Sequence, residues 1–412
     1  MGIDGFTQLL AKYASNTIQR LPLSAFSNQN VAVDMNHLVY LLMSPSIKDV
    51  TYDHDFTVGK PDRSEIERKT ICRILDHLTI SLHHQITPVC VFDGYPHQLK
   101  KTGNPKKQKA KEQEREKYRQ AKQKLYSQEP LFRLAPLVND FVKYYRNHIK
   151  VKSEFMKNLR EILSSFGFPV YGVEQFGKMS NDAEGLCAGL CLSGNDYCIA
   201  GYTTDSDFHV YGGNIQIKKI EFTDKSQNGI ITRTYFAEVR RLDLILQQFS
   251  QSAGKPISFS AFRDLCILTG SDFNVNIPSK GPVRCWEFIK QFDSIDNLAT
   301  CQDVSILNHR EVQQMFSSFL VKLDIPKPEM NRQIFQEFAS PMSESFQLQS
   351  YYRSLYSILF PSGKQINPTD SLLHLDPNNP ERATIRVDET LPPSKENISI
   401  ESLRSELSGL SF

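Results

Sequence analysis

Short apolar runs punctuate this chain, and several of them lead into an acid. Val31-Ala-Val-Asp34 and Pro88-Val-Cys-Val-Phe-Asp93 are two such runs; Tyr197-Cys-Ile-Ala200, followed by Gly-Tyr-Thr-Thr-Asp205-Ser-Asp207, is a third. Each is too short for a helix and lacks polar alternation, the pattern of a strand buried on both faces of a parallel sheet. Longer stretches read as helices at 36–42, 64–85, 104–126, 153–166, 186–192, 238–249, 259–269 and 283–291, after an amphipathic start at 2–14. Residues 168–171 give one more strand, 214–220 and 231–236 alternate like a hairpin, and 46–63 read as an irregular loop. Glu129-Pro130 ends the helix before it. Strands interleaved with helices predict an α/β fold with a central, mostly parallel sheet.

Composition narrows the class. With 412 residues, 40% hydrophobic and 23% charged, the chain suits a globular protein rather than a disordered one. No apolar run approaches a membrane span, and Met-Gly-Ile-Asp-Gly-Phe lacks the basic and apolar regions of a secretory signal. Gly2 with Thr7 misses the myristoylation spacing by one place. The eight cysteines are scattered, many of them within apolar runs, as expected of reduced thiols in the nucleus or cytoplasm. Cys187 and Cys191 share a helix face, yet no second ligand pair stands near them in sequence to make a zinc site.

Charge is nearly balanced overall, at +2, but not locally. Residues 100–124 hold eleven Lys or Arg against three Glu, which leaves a cationic surface for an anionic partner. Pro105-Lys-Lys-Gln-Lys109 also fits a nuclear localisation signal. The acids cluster elsewhere. Asp182 and Glu184 fall in the first turn of a helix, where the dipole favours carboxylates, and Asp205 and Asp207 follow a strand. Taken singly, these are ordinary caps and turns. Three buried strands delivering carboxylates to one sheet edge require a cation to tolerate the charge. Asp272 adds another acid between the helices 259–269 and 283–291, which form a helix-hairpin unit able to grip a phosphate with its backbone amides.

The order of these motifs resembles the flap endonuclease and XPG-type 5′ nuclease family. The resemblance rests on the start Met-Gly-Ile-Asp-Gly-Phe-Thr-Gln-Leu-Leu, on Val33-Asp34 and on Val91-Phe92-Asp93-Gly94. It continues in Asp182-Ala183-Glu184, Thr204-Asp205-Ser206-Asp207 and Gly270-Ser271-Asp272, and covers residues 1–300. It implies a PIN-like nuclease core, a helical arch and a helix–two-turn–helix unit. The divisions are 1–100 and 153–300 for the nuclease and 101–152 for the basic arch; beyond the resemblance, 301–360 reads as a helical extension, and 361–412, Pro-rich and polar with little periodicity, as a mostly disordered tail. It further implies two Mg²⁺ ions shared by Asp34, Asp93, Asp182, Glu184, Asp205, Asp207 and Asp272, with Asp34 supporting the other ligands from behind or acting through water. Lys100 and Lys107 clamp the scissile phosphate, Tyr40 stacks on a base, and Lys280 and Gly281 meet the DNA backbone. The implied activity is Mg²⁺-dependent cleavage of DNA flaps or single-strand/double-strand junctions, with 5′-3′ exonuclease action, by a nuclear monomer. A non-catalytic relative binding RNA or protein is the alternative, one that has no use for the carboxylates.

The chain departs from that family at two places. Asp182 stands where Glu is usual, and Ser279-Lys280-Gly281-Pro282 lacks the first glycine of the helix-hairpin turn, so that turn's monovalent-cation site is not carried over. No sliding-clamp-binding motif is evident at the C-terminus.

Overall fold

The computed structural model describes residues 2–52, 61–94, 105–127, 135–149, 151–176, 182–192, 197–227 and 230–319. Seven strands form one sheet: β1 (Ile18–Pro22), β2 (Asn30–Asp34), β3 (Thr87–Phe92), β4 (Val170–Gly172), β5 (Ala200–Tyr202), β6 (Ile215–Gln227) and β7 (Ile230–Arg241). Their order is β1-β7-β6-β5-β2-β3-β4. From β6 to β4 every neighbouring pair is parallel, whereas β6–β7 and β7–β1 are antiparallel. The helices are α1 (Phe6–Tyr13), α2 (Met35–Tyr52), α3 (Arg63–His83), α4 (Pro105–Tyr126), α5 (Ala135–His148), α6 (Ser153–Ser165) and α7 (Ala183–Leu190). They continue as α8 (Asp207–Val210), α9 (Leu242–Ala253), α10 (Phe259–Thr269), α11 (Pro282–Phe292), α12 (Ile295–Leu298) and α13 (His309–Ser317).

The continuous apolar strands are explained by two cores, one on each face of the sheet. Ala32, Val89 and Val91 face a core with Leu9, Leu186, Phe208 and Leu265. Val31, Val33, Cys90 and Phe92 face the other, with Leu38, Ile74 and Leu159. Alternation along β2 and β3 therefore sends their apolar side chains into one core or the other. A third, smaller cluster of Tyr118, Leu125 and Phe141 lies between α4 and α5.

Several boundaries differ from expectation. The loop expected at 46–63 is helical as far as Tyr52, despite Pro45 inside α2. Met43, Ile47 and Thr51 recur every fourth residue on a buried stripe, so packing outweighs the backbone bond lost at proline. α3 then starts at Arg63 behind Asp62, whose Oδ1 accepts from Ser64 N at 2.9 Å. The strand expected at 197–200 is instead 200–202, because Cys198 N donates to Leu190 O before the sheet begins. The helix expected at 238 begins at Leu242, since residues 238–240 pair with both β1 and β6, and a central strand position overrides helical periodicity. The hairpin is also longer than expected, because β6 and β7 stay paired out to Gln227 and Ile230. Residues 320–412, including the expected tail, lie outside the described residues.

Candidate metal centre

The carboxyl ends of β2, β3 and β5 lie side by side, where ligands enter an open α/β sheet. Asp34 ends β2 and is 1% exposed. Its Oδ1 accepts from His37 N at 2.9 Å and its Oδ2 from Thr203 Oγ1 at 3.0 Å. Asp93 follows β3. Its Oδ2 accepts from Asn36 Nδ2 at 2.5 Å, and its Oδ1 from Ala183 N at 2.7 Å, at the start of α7. That helix brings Asp182 at its N-cap and Glu184 in its first turn. Asp93, Asp182 and Glu184 each present an oxygen, and these oxygens all lie within 4.8 Å of one another.

Asp205 reaches the same edge from the turn after β5. Its N–H donates to Thr203 Oγ1 at 3.2 Å, its carbonyl accepts from Gln216 Nε2 at 2.6 Å, and its Oδ1 accepts from Asp207 N at 3.4 Å. The chain start closes over this turn. Ile3 N donates to Ser206 Oγ at 3.0 Å. A Cβ on Gly2, whose φ is +99°, would stand 2.1 Å from Asp205 Oδ1. Only glycine fits there.

The electrostatics follow from burial and like charge. Burial, then the Asp93 charge, push the Asp34 carboxyl up to about 7, although the His37 N–H and Thr203 hydroxyl pull the other way. Burial raises Glu184 well above the usual carboxylate range, with Asp34, Asp205, Asp93 and Asp182 adding to it. Gln216 holds the Asp205 backbone, while Asn36 and Thr203, which donate to carboxylate oxygens, are neutral, so they orient those acids without cancelling their charge. His37 adds none, because burial lowers its imidazole to about 4. An all-oxygen donor set in which several carboxylates crowd together fits a hard divalent cation such as Mg²⁺, which takes a few carboxylates plus waters. Among the described residues, Asp93, Asp182 and Glu184 can hold one.

The other expected site residues take varied places. Asp207 is buried at the first position of α8. Asp272 lies in the turn after α10, at a bend that meets the chain start through Asp4 N and Gly270 O, 2.8 Å apart. Tyr40 is 51% exposed on α2, and the Asp93 charge, after burial, raises its phenol. Lys100 lies outside the described residues; Lys107 stands in the first turn of α4, and its side chain is also outside them. Lys280 and Gly281 form the turn before α11, with Gly281 as N-cap and Pro282 in the first turn. Ser279, where a glycine was missed, has φ +62°. Asn36, Thr203, Gln216 and Gly2 escaped the sequence reading. Asn36 offered one signal, a polar amide two places after Asp34 at a helix start; Gln216 offered only a polar residue between Ile215 and Ile217.

Residues 1–115 match the XPG N-terminal domain. Flap endonuclease 1 of Leishmania braziliensis is 26% identical over 311 residues, which cover 74% of this chain and 68% of that relative. Flap endonuclease 1 of Mus musculus is 25% identical over 322 residues, covering 77% and 74%. Among solved structures, flap endonuclease-1 from Methanococcus jannaschii gives a TM-score of 0.48 at 16% identity, over 85% of this chain and 99% of that one. The catalytic core of Rad2 in complex with DNA substrate gives 0.47 at 18%, over 87% and 96%. Residues 1–115 thus carry the XPG N-terminal domain, and over most of its length the chain is similar to flap endonucleases.

Proposed function

We propose that this protein is a Mg²⁺-dependent, structure-specific 5′ nuclease that hydrolyses DNA phosphodiester bonds at flaps or other single-strand/double-strand junctions. The observation that carries the reading is the trio Asp93, Asp182 and Glu184, converging within 4.8 Å at the carboxyl edge of the sheet. Two divalent ions held at this edge would supply an ionised water and offset the charge on the leaving oxygen. Asp93, Asp182 and Glu184 hold them, Asp205, Asp207 and Asp272 extend the ligand set, and Asp34 supports from behind through water. Lys100 and Lys107 draw the scissile phosphate against this edge and offset the charge that grows on it. Tyr40, exposed beside Asp93, stacks on a base next to the cut. The exposed basic face of α4 attracts the single strand, and the amides at the start of α11 grip a duplex phosphate.

The test is a panel of end-labelled flap, duplex, bubble, junction and RNA substrates, each with Mg²⁺ and with EDTA. Cleavage of the branched DNAs that depends on Mg²⁺ and stops in Asp205→Ala, while that variant still binds DNA, is the expected result. Equal cleavage with EDTA overturns the reading.

A further inference from the structure

Asn36 is the second residue of α2, two places beyond the end of β2, and its amide crosses to the end of the neighbouring strand. The orientation of that amide is decided by chemistry. A carboxylate oxygen only accepts, so the group 2.5 Å from Asp93 Oδ2 must be the NH₂. The carbonyl oxygen is then turned elsewhere, and it is buried without a hydrogen-bond partner among the described residues. A buried polar atom left so costs about 1–3 kcal/mol, and an apolar residue of the same size avoids that cost. A packing role alone therefore does not account for asparagine at this position.

What the amide does is hold Asp93 by one oxygen while Ala183 N holds the other at 2.7 Å. Grasped at both ends, the Asp93 carboxylate cannot turn about its own axis. Its remaining lone pairs keep one direction relative to Asp182 and Glu184. A lysine or arginine at this position could do the same, but it would also neutralise the cluster and compete with a cation. A neutral amide aligns the ligand and leaves the charge for the ion. We propose that Asn36 is a positioning residue of the cation site, fixing Asp93 so that the trio binds a divalent ion tightly. This rests on the reading of Asp93, Asp182 and Glu184 as cation ligands, and it adds a residue that is not itself a ligand.

The experiment is calorimetric titration of the full chain with Mn²⁺, without DNA, for the wild type, Asn36→Leu and Asn36→Ser. Leucine keeps the shape and loses the amide; serine stays polar and loses the reach. Both are expected to bind Mn²⁺ about tenfold or more weakly, the usual effect of removing a group that orients a metal ligand. In cleavage assays the Mg²⁺ concentration for half-maximal rate should rise likewise, while KM for DNA stays unchanged. A merely structural role moves neither in that ratio. Mn²⁺ affinity within twofold of wild type in either folded variant overturns the proposal. Loss of Mn²⁺ binding in the variants with a wild type that binds Mn²⁺ but cleaves no DNA leaves Asn36 in its role and removes the nuclease reading. A wild type that binds no Mn²⁺ overturns both.

Discussion

Asp34 carries its charge at the cost of burial. In the unfolded chain it titrates near 3.8; in the fold, burial and the Asp93 charge raise it to about 7. Between those two values the native state keeps a proton that the unfolded state has released. Stability without metal therefore falls as pH rises through this window, and the loss is complete above about 7. Asp34→Asn removes the penalty. In EDTA, its Tm should exceed the wild type's at pH 8 by an amount worth on the order of 1–3 kcal/mol, and the gap should shrink toward pH 4. Added Mg²⁺ should stabilise the wild type and narrow the gap at pH 8 from the other side. Thermal unfolding across pH 4–8, with and without Mg²⁺, reads both effects. A gap that is constant with pH shows that Asp34 is not raised.

At the scale of elements, what the sequence could show depended on whether a signal was local. β2 and β3 were legible because both of their faces are buried, which leaves an unbroken apolar run with Asp34 or Asp93 at its end. α10 and α11 were legible from their apolar spacing and from the Gly-Pro turn between them. The start of β5 was not, because Tyr197 and Cys198 are as buried as a strand while Cys198 bonds back to α7. Nor was the end of β7, where pairing on both sides decides the conformation. Neutral donors such as Gln216 and Thr203 were illegible for another reason: their meaning is a hydrogen bond across the sheet, and no spacing along the chain encodes it. Ser279 shows a local signal with a local consequence. Its φ of +62° is the conformation that glycine takes without strain, and a Cβ there costs roughly 1–2 kcal/mol. Ser279→Gly relieves the strain at the expense of unfolded-state freedom, so its net gain is small. Ser279→Val keeps the strain and adds branching. The urea midpoints should rank Gly, Ser, Val from high to low, with about 1 kcal/mol or more between the extremes. Equal midpoints rule out the left-handed turn before α11.

For the whole molecule, the two charge features face different tasks: an acidic sheet edge that attracts cations, and a basic α4 in a chain whose net charge is only +2. α4 has its own support, since Tyr118, Phe141 and Tyr145 stack between it and α5 with ring centroids 5.3–5.9 Å apart. Its exposed cations therefore ride on a packed helical pair. Lys107 stands in its first turn and Lys117, exposed, ten residues later. Ten residues of helix span about 15 Å, too far for both to serve one phosphate. The two should fail differently. Lys107→Ala should slow single-turnover cleavage on the order of 10²-fold and weaken binding much less, because a contact to the reacting phosphate strengthens as charge develops. Lys117→Ala should leave the single-turnover rate at saturating enzyme near that of wild type. It should weaken affinity for many DNA sequences alike and reduce the salt slope by about one phosphate contact. Rates and salt-dependent affinities measured for both variants separate the roles. If each lysine changes affinity alone, α4 is a landing surface for DNA, and Lys107 takes no part in the transition state.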